Sequence, residues 1–143
     1  MAAETDLAVM LASITVTRRP GAWAFVTVSD PAEVARLLVA GDRVDALIRE
    51  DEGVTAVLAA DLAAELGYPV TFEAAWLTLD VHSALEAVGL TAAFSRALGE
   101  REIPCNVVAG HFHDHLLVPV ERVDEAIEAI EALRTSKDGT SRP

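Results

Sequence analysis

Three of the chain's four histidines, His111, His113 and His115, stand at alternate positions in GHFHDHLLVPV, with Asp114 between the last two. On an extended strand such residues share a face, with successive same-face Cα atoms about 6.5–7 Å apart. Neighbours in this row could chelate one ion, and zinc would ask for further His or Cys ligands, here His82 or Cys105. Nucleophilic chemistry would use Cys105 beside a histidine, or Ser83 or Ser95 with His113 and Asp114. The supporting motifs are missing: the chain has no CxxC, no HExxH and no G-x-S-x-G elbow to expose a serine. Cys105, in IPCNVV, reads as a small buried thiol. His113, Asp114 and His115 read as a polar network holding a hairpin. By alternation Asp114 faces away from both histidines, so its carboxylate needs solvent, backbone N–H groups or an interface. These residues point away from an enzyme; no catalytic residue, metal ligand or cofactor is assigned, and a His-based metal site stays as an alternative.

What positions these groups is one globular chain of 143 residues, 52% apolar and only 5% aromatic, so its core is built of Ala, Val and Leu. The formal charge of −12 opposes contact with phosphate backbones or anionic membrane surfaces, so no nucleic-acid or membrane partner is expected. A single cysteine makes no internal disulfide and suits a reducing cytoplasm, and the N-terminus lacks the basic region of a signal peptide.

Residues 7–16, LAVMLASITV, read as a strand ended by RRPG at 18–21, with a second strand at 22–29. Asp30, Pro31 and Glu33 carry the cap, first-turn proline and capping-box carboxylate of a helix over 31–40, closed by Gly41. Strands at 44–50 and 54–60 flank DEG as a hairpin, and a short helix covers 61–67. In the strand at 73–81, Leu77, Leu79 and Val81 share one face while Trp76, Thr78 and Asp80 share the other. Ser83 and Glu86 have capping-box spacing for a helix over 84–98 that Gly99 would stop. Strands at 103–109 and 113–120 follow. The last helix, 121–134, buries Val123, Ala126, Ile127, Ile130 and Leu133 and turns its carboxylates to solvent. The order β-α-β-β-α thus occurs twice, leaving the strand at 7–16 over. The expected class is α+β: two tandem, interlocked ferredoxin-like units with antiparallel sheets and helices on one face. The units span 1–71 and 72–135, the strand at 7–16 completes the second, and 136–143 form a flexible tail.

The stretches HSALEAVGLTAAFSRAL and IPCNVVAGHFHDHLLVPVERVDEAIEAI, with the opening LASITVTRRPGAWAFVTV, resemble bacterial ACT-domain proteins long grouped as a family of unknown function. These are similar to the ACT repeats of the animal cytosolic arginine sensors, and the resemblance covers residues 8–134. It implies tandem βαββαβ modules, further paired as a homodimer or higher homo-oligomer, that capture a small molecule rather than catalyse. The implied ligand is an amino acid held at an interface between modules. Its implied contacts are Asp80, His82, Ser83, Val88, Gly89 and Leu90 from the loop between first strand and first helix. Asn106, Val107 and Val108 from the second strand join them, with His113 and Asp114 at the rim. Unlike many ACT modules, the chain has no proline between Asp80 and Gly89. The residue chemistry agrees with capture. Gly89 allows close backbone approach, helix-start amides favour a carboxylate, and Asp80, Glu86 or Asp114 would answer an ammonium. The alternative to ligand capture is a purely structural module that only assembles.

Overall fold

The computed structural model describes residues 6–81 and 88–135. The chain divides into two compact units, one formed by residues up to Arg19 together with those from Ala75 on, the other by Pro20–Ala74. In sequence, therefore, the second unit is an insertion within the first.

The discontinuous unit opens with helix α1, Leu7–Ala12, where a strand was expected at 7–16. Asp6 decides this locally: its carboxylate accepts from the N–H groups of Ala8 (2.9 Å) and Val9 (3.3 Å), so the helix starts with its first donors satisfied. Leu7, Met10, Leu11 and Ile14 then fall at i, i+3, i+4 and i+7, and Met10, Leu11 and Ile14 are buried. Strand β1, Val16–Val28, runs straight through Arg18, Arg19, Pro20 and Gly21, which were expected to break it. Before Pro20 the strand neighbours a strand of the discontinuous unit, and from Trp23 on it pairs within the inserted one. Pro20 and Gly21 fall between these pairings, where a missing N–H costs no described ladder bond.

The inserted unit comprises the remainder of β1, helix α2 (Pro31–Val39), strands β2 (Val44–Glu50) and β3 (Gly53–Ala59), and helix α3 (Ala60–Glu65). Its strand order is β1-β3-β2, with both ladders antiparallel. Asp30 caps α2 by accepting from Ala32 N–H at 2.9 Å, with Pro31 in the first turn, as its sequence predicts. Ala24, Val26 and Val28 of β1 meet Ala56 and Leu58 of β3, Leu37 of α2, and Leu62 and Ala63 of α3 in one core.

The discontinuous unit continues with β4 (Ala74–Leu79), α4 (Leu90–Glu100), β5 (Asn106–Ala109), β6 (Asp114–Pro119) and α5 (Val123–Glu131), in the strand order β1-β4-β6-β5. Helix α4 departs from the expected span of 84–98. Val88 and Gly89 are not helical, and residues 84–87, with Glu86, lie outside the described residues, as does the expected tail at 136–143. Gly99 sits inside α4 rather than stopping it. The left-handed residue beyond the helix end is Glu102, at φ 56°, and Ile103 N–H reaches back to Leu98 O at 3.0 Å, a 6→1 closure. Arg122 adds a clamp from below α5, donating to Arg101 O at 3.0 Å and Glu102 O at 3.5 Å. Glu102→Gly keeps these backbone bonds and removes the left-handed strain. It should raise stability by up to about 1 kcal/mol, read as a higher denaturant midpoint at unchanged slope; a lower midpoint would mean that the Glu102 side chain has a stabilising role.

Leu77, Leu79 and Val81 turn inward against Phe94 and Leu98 of α4, Leu116 and Val118 of β6, Val123, Ala126 and Ile130 of α5, and Met10, Leu11 and Ile14. Among the described residues Phe94 is the one aromatic in this core, which aliphatic side chains otherwise fill. Among the described residues no helix is long and apolar enough to cross a membrane.

Candidate functional site

The alternation of β4 sends Asp80 to the face opposite the core, just past the strand's end. Its N–H donates to Thr15 O at 2.8 Å, which holds the end of β4 to the residue that leads into β1. Its carboxylate Oδ2 accepts the hydroxyl of Thr17 and, at 3.5 Å, that of Thr15. Neither threonine was a candidate on sequence grounds. They lie 63 and 65 positions from Asp80, and only strand pairing brings them together. His82 and Ser83, which follow in sequence, lie outside the described residues. Val88 is 82% exposed, and Gly89 lies in the left-handed region, φ 99° and ψ −19°.

Gly89 is the N-cap of α4 but has no side chain to offer, and among the described residues no side chain caps the early N–H groups of α4. Gly89 O already accepts from Ala93 N–H at 2.9 Å. The glycine also has a packing cause: a Cβ there would lie 2.8 Å from Leu7 Cδ2 of α1. The close approach expected of a ligand at Gly89 is thus made, on that side, by the chain's own Leu7. Leu90, 4% exposed, turns into the core rather than towards a ligand.

Strand β5 forms one edge of the unit and pairs antiparallel with β6, Asn106 opposite Leu117, Val107 opposite Leu116, Val108 opposite His115 and Ala109 opposite Asp114. Since Thr78 and Trp76 near the end of β4 meet His115 near the start of β6, Asp80, Asp114 and Ala109 belong to the same end of the sheet. Asn106 starts β5 at the other end, about 10 Å along the strand from Ala109 at about 3.3 Å per residue. Val107 and Asn106 are exposed and Val108 half-buried.

Of the histidine row, His113 and His115 approach each other, ring centroids 6.4 Å apart and tilted by 53°, while His111 turns to another partner. His111 stacks edge-on against Phe112 within the turn, their centroids 4.9 Å apart. His113 is exposed, and its carbonyl closes the turn by accepting from Gly110 N–H at 2.9 Å. His115 Nδ1 lies 3.3 Å from the donating Trp76 Nε1 and 3.0 Å from Thr78 Oγ1. A ring nitrogen that accepts the indole N–H carries no proton of its own. Arg19 caps the other partner of this contact, its guanidinium carbon 4.8 Å from the Trp76 ring centroid. His115 thus ties β4 to β6. Asp114, half-buried, opens β6 beside it. Among the described residues no three His, Cys, Asp or Glu side chains are grouped to hold a metal.

Cys105 packs against the core of the discontinuous unit, and burial pushes its thiol from 9.0 up to about 11. A nucleophile needs the opposite shift. Native Cys105 should therefore react with a thiol reagent at pH 8 at least about tenfold more slowly than the unfolded chain; equal rates would contradict this burial. Because the folded value lies above 9.0, the thiol's contribution to stability is complete below that pH and is lost as pH rises towards about 11.

A family model described as an ACT domain matches residues 2–75, and a second, also an ACT domain, matches residues 71–132. Among solved structures, the chain is 36% identical to a Vibrio cholerae protein of unknown function described as a possible transport protein, over 90% of this chain and 95% of that one, with a TM-score of 0.78. The ligand-free regulatory subunit of aspartate kinase from Thermus thermophilus shares the fold at 14% identity, covering 82% of this chain and 95% of its own, with a TM-score of 0.60. An Agrobacterium tumefaciens protein does so at 18% identity, over 85% and 89%, with a TM-score of 0.60. Among curated proteins none matches the chain.

Proposed function

Because the chain belongs to the ACT-domain family, we propose that it is a non-enzymatic regulatory module that captures an amino acid at the loop from Asp80 to Leu90. The observation that carries this is the pairing of an exposed, hydroxyl-held carboxylate at one end of that loop with a helix start that no described side chain caps at the other. These are complementary to the two charges of a zwitterion. Asp80 answers the ammonium, and the first N–H groups of α4, behind Gly89, answer the carboxylate. In this reading His82, Ser83 and Val88 line the loop, and His113 and Asp114 stand at its rim. Val108 flanks it from β5, while Asn106 and Val107, facing out on the edge strand, serve contact with a second copy.

A ligand that binds the native state raises its stability by mass action, about 2.7 kcal/mol at a hundred times Kd. Melting the chain against each common amino acid at millimolar concentration tests the reading. At least one should raise Tm by several degrees; a flat response to all of them rejects amino-acid capture.

A second reading, assembly without a ligand, draws on the exposed edge. Val107 is 39% and Phe112 66% exposed at and beside β5, apolar groups that an added strand or a second copy would cover. A stable dimer by light scattering, in a chain that answers no amino acid, would favour that reading.

A further inference from the structure

We propose that Thr15 and Thr17 are positioning residues for Asp80, and that they select a primary ammonium over a guanidinium as the cation it takes. The proposal rests on the amino-acid reading above. Asp80, like Glu50 with Thr55, is held by hydroxyls rather than by a cation among the described residues. Glu65, Glu100, Glu125, Glu128 and Glu131 each have an arginine partner. Asp80 instead has two hydroxyl donors and, among the described residues, no cation. Hydroxyls hold a carboxylate without neutralising it, so its charge stays available to a ligand.

Both hydroxyls bond Oδ2, and among the described residues neither reaches Oδ1. An arginine-like fork needs both oxygens of a carboxylate for its two parallel bonds. With Oδ2 occupied, Oδ1 offers a single-point contact, which suits a compact ammonium with rotatable donors. Thr15 and Thr17 also fix the rotamer of an exposed side chain that would otherwise lose conformational freedom when the ligand binds. Both are exposed and alternate on one face as the chain enters β1, so neither is in place for the sake of the core.

The test titrates the full chain with the common L-amino acids, each active one beside its 2-hydroxy acid (L-lactate for L-alanine, for instance), in the native form and as Thr17→Val, Thr17→Ser and Asp80→Asn. The native chain should answer amino acids and not hydroxy acids. Thr17→Val should weaken the apparent Kd about tenfold, the factor that about 1.4 kcal/mol represents, with a far smaller change in unliganded Tm. Thr17→Ser, which keeps the hydroxyl, should stay near native. Should Thr17→Val fold poorly, Thr15→Val reads the positioning role, while Asp80→Asn, which keeps the shape and loses the charge, should lose the response. A native response with Thr17→Val or Asp80→Asn unaffected, or with Thr17→Ser as weak as Thr17→Val, overturns the positioning role and leaves amino-acid capture standing. Equal binding of hydroxy acids overturns the ammonium assignment. Binding by the native chain of a guanidino acid lacking an amine as tightly as the active amino acid overturns the selection. No native response to any amino acid overturns both this proposal and the reading beneath it.

Discussion

Met10→Ala is expected to lower stability by about 2–5 kcal/mol, while Val9→Ala, one residue away, stays within about 0.5 kcal/mol. Met10 is fully buried and Val9 51% exposed, although both are large and apolar. The difference arises because α1 is a helix. Its inward stripe of Leu7, Met10 and Leu11 leaves Val9 on the outer side, whereas an extended chain would put Val9 on the same face as Leu7 and Leu11. Guanidinium unfolding of the two variants reads this directly. A costly Val9→Ala beside a harmless Met10→Ala would show that residues 7–12 are not the capped helix that Asp6 starts.

Gly89→Ala is expected to cost about 1–3 kcal/mol and to weaken any ligand response. Part of the cost is backbone strain, since φ 99° is a conformation that L side chains rarely adopt. The rest is contact with Leu7 Cδ2, 2.8 Å from where the new methyl would sit. The two parts separate in a double-mutant cycle with Leu7→Ala. Shortening Leu7 removes the contact and leaves the strain, so the double variant should be more stable than the two single losses predict. Strict additivity would mean that Leu7 yields freely and that the backbone alone requires glycine.

Much of the fold is legible in the residues because its signals are local and repeated. Asp30-Pro31 starts α2, the alternation through Leu77 and Leu79 faces β4, and the stripe from Val123 to Ile130 faces α5. The stretches HSALEAVGLTAAFSRAL and IPCNVVAGHFHDHLLVPVERVDEAIEAI carry the resemblance to the family that the comparisons show. Errors arise where two periods coexist. Leu7, Met10, Leu11 and Ile14 keep helical spacing, but the β-branched run Ile14-Thr15-Val16-Thr17 follows at once and draws the whole stretch towards a strand. The Pro20-Gly21 break fails for a different reason. Strand pairing on either side of it is non-local, and no window around the proline reports it. The site is less legible than the fold. Asp80 lies on the face its alternation predicts, yet its partners Thr15 and Thr17 come from the far end of the sequence. The histidine row reads as a polar network holding a hairpin, but the residues that His115 engages, Trp76 and Thr78, lie 39 and 37 positions away and are not legible from its surroundings.

The central claim is that the segment from Asp80 to Leu90 receives an amino acid. A ¹⁵N-labelled chain titrated by NMR with the amino acid that most raises Tm tests it residue by residue. The account predicts that the amides of Asp80, Gly89 and the first turn of α4 shift and saturate together, with those around His113 and Asp114 following more weakly. Shifts confined to another part of the chain, such as the β2–β3 turn between Glu50 and Gly53, or none at millimolar ligand, would contradict it.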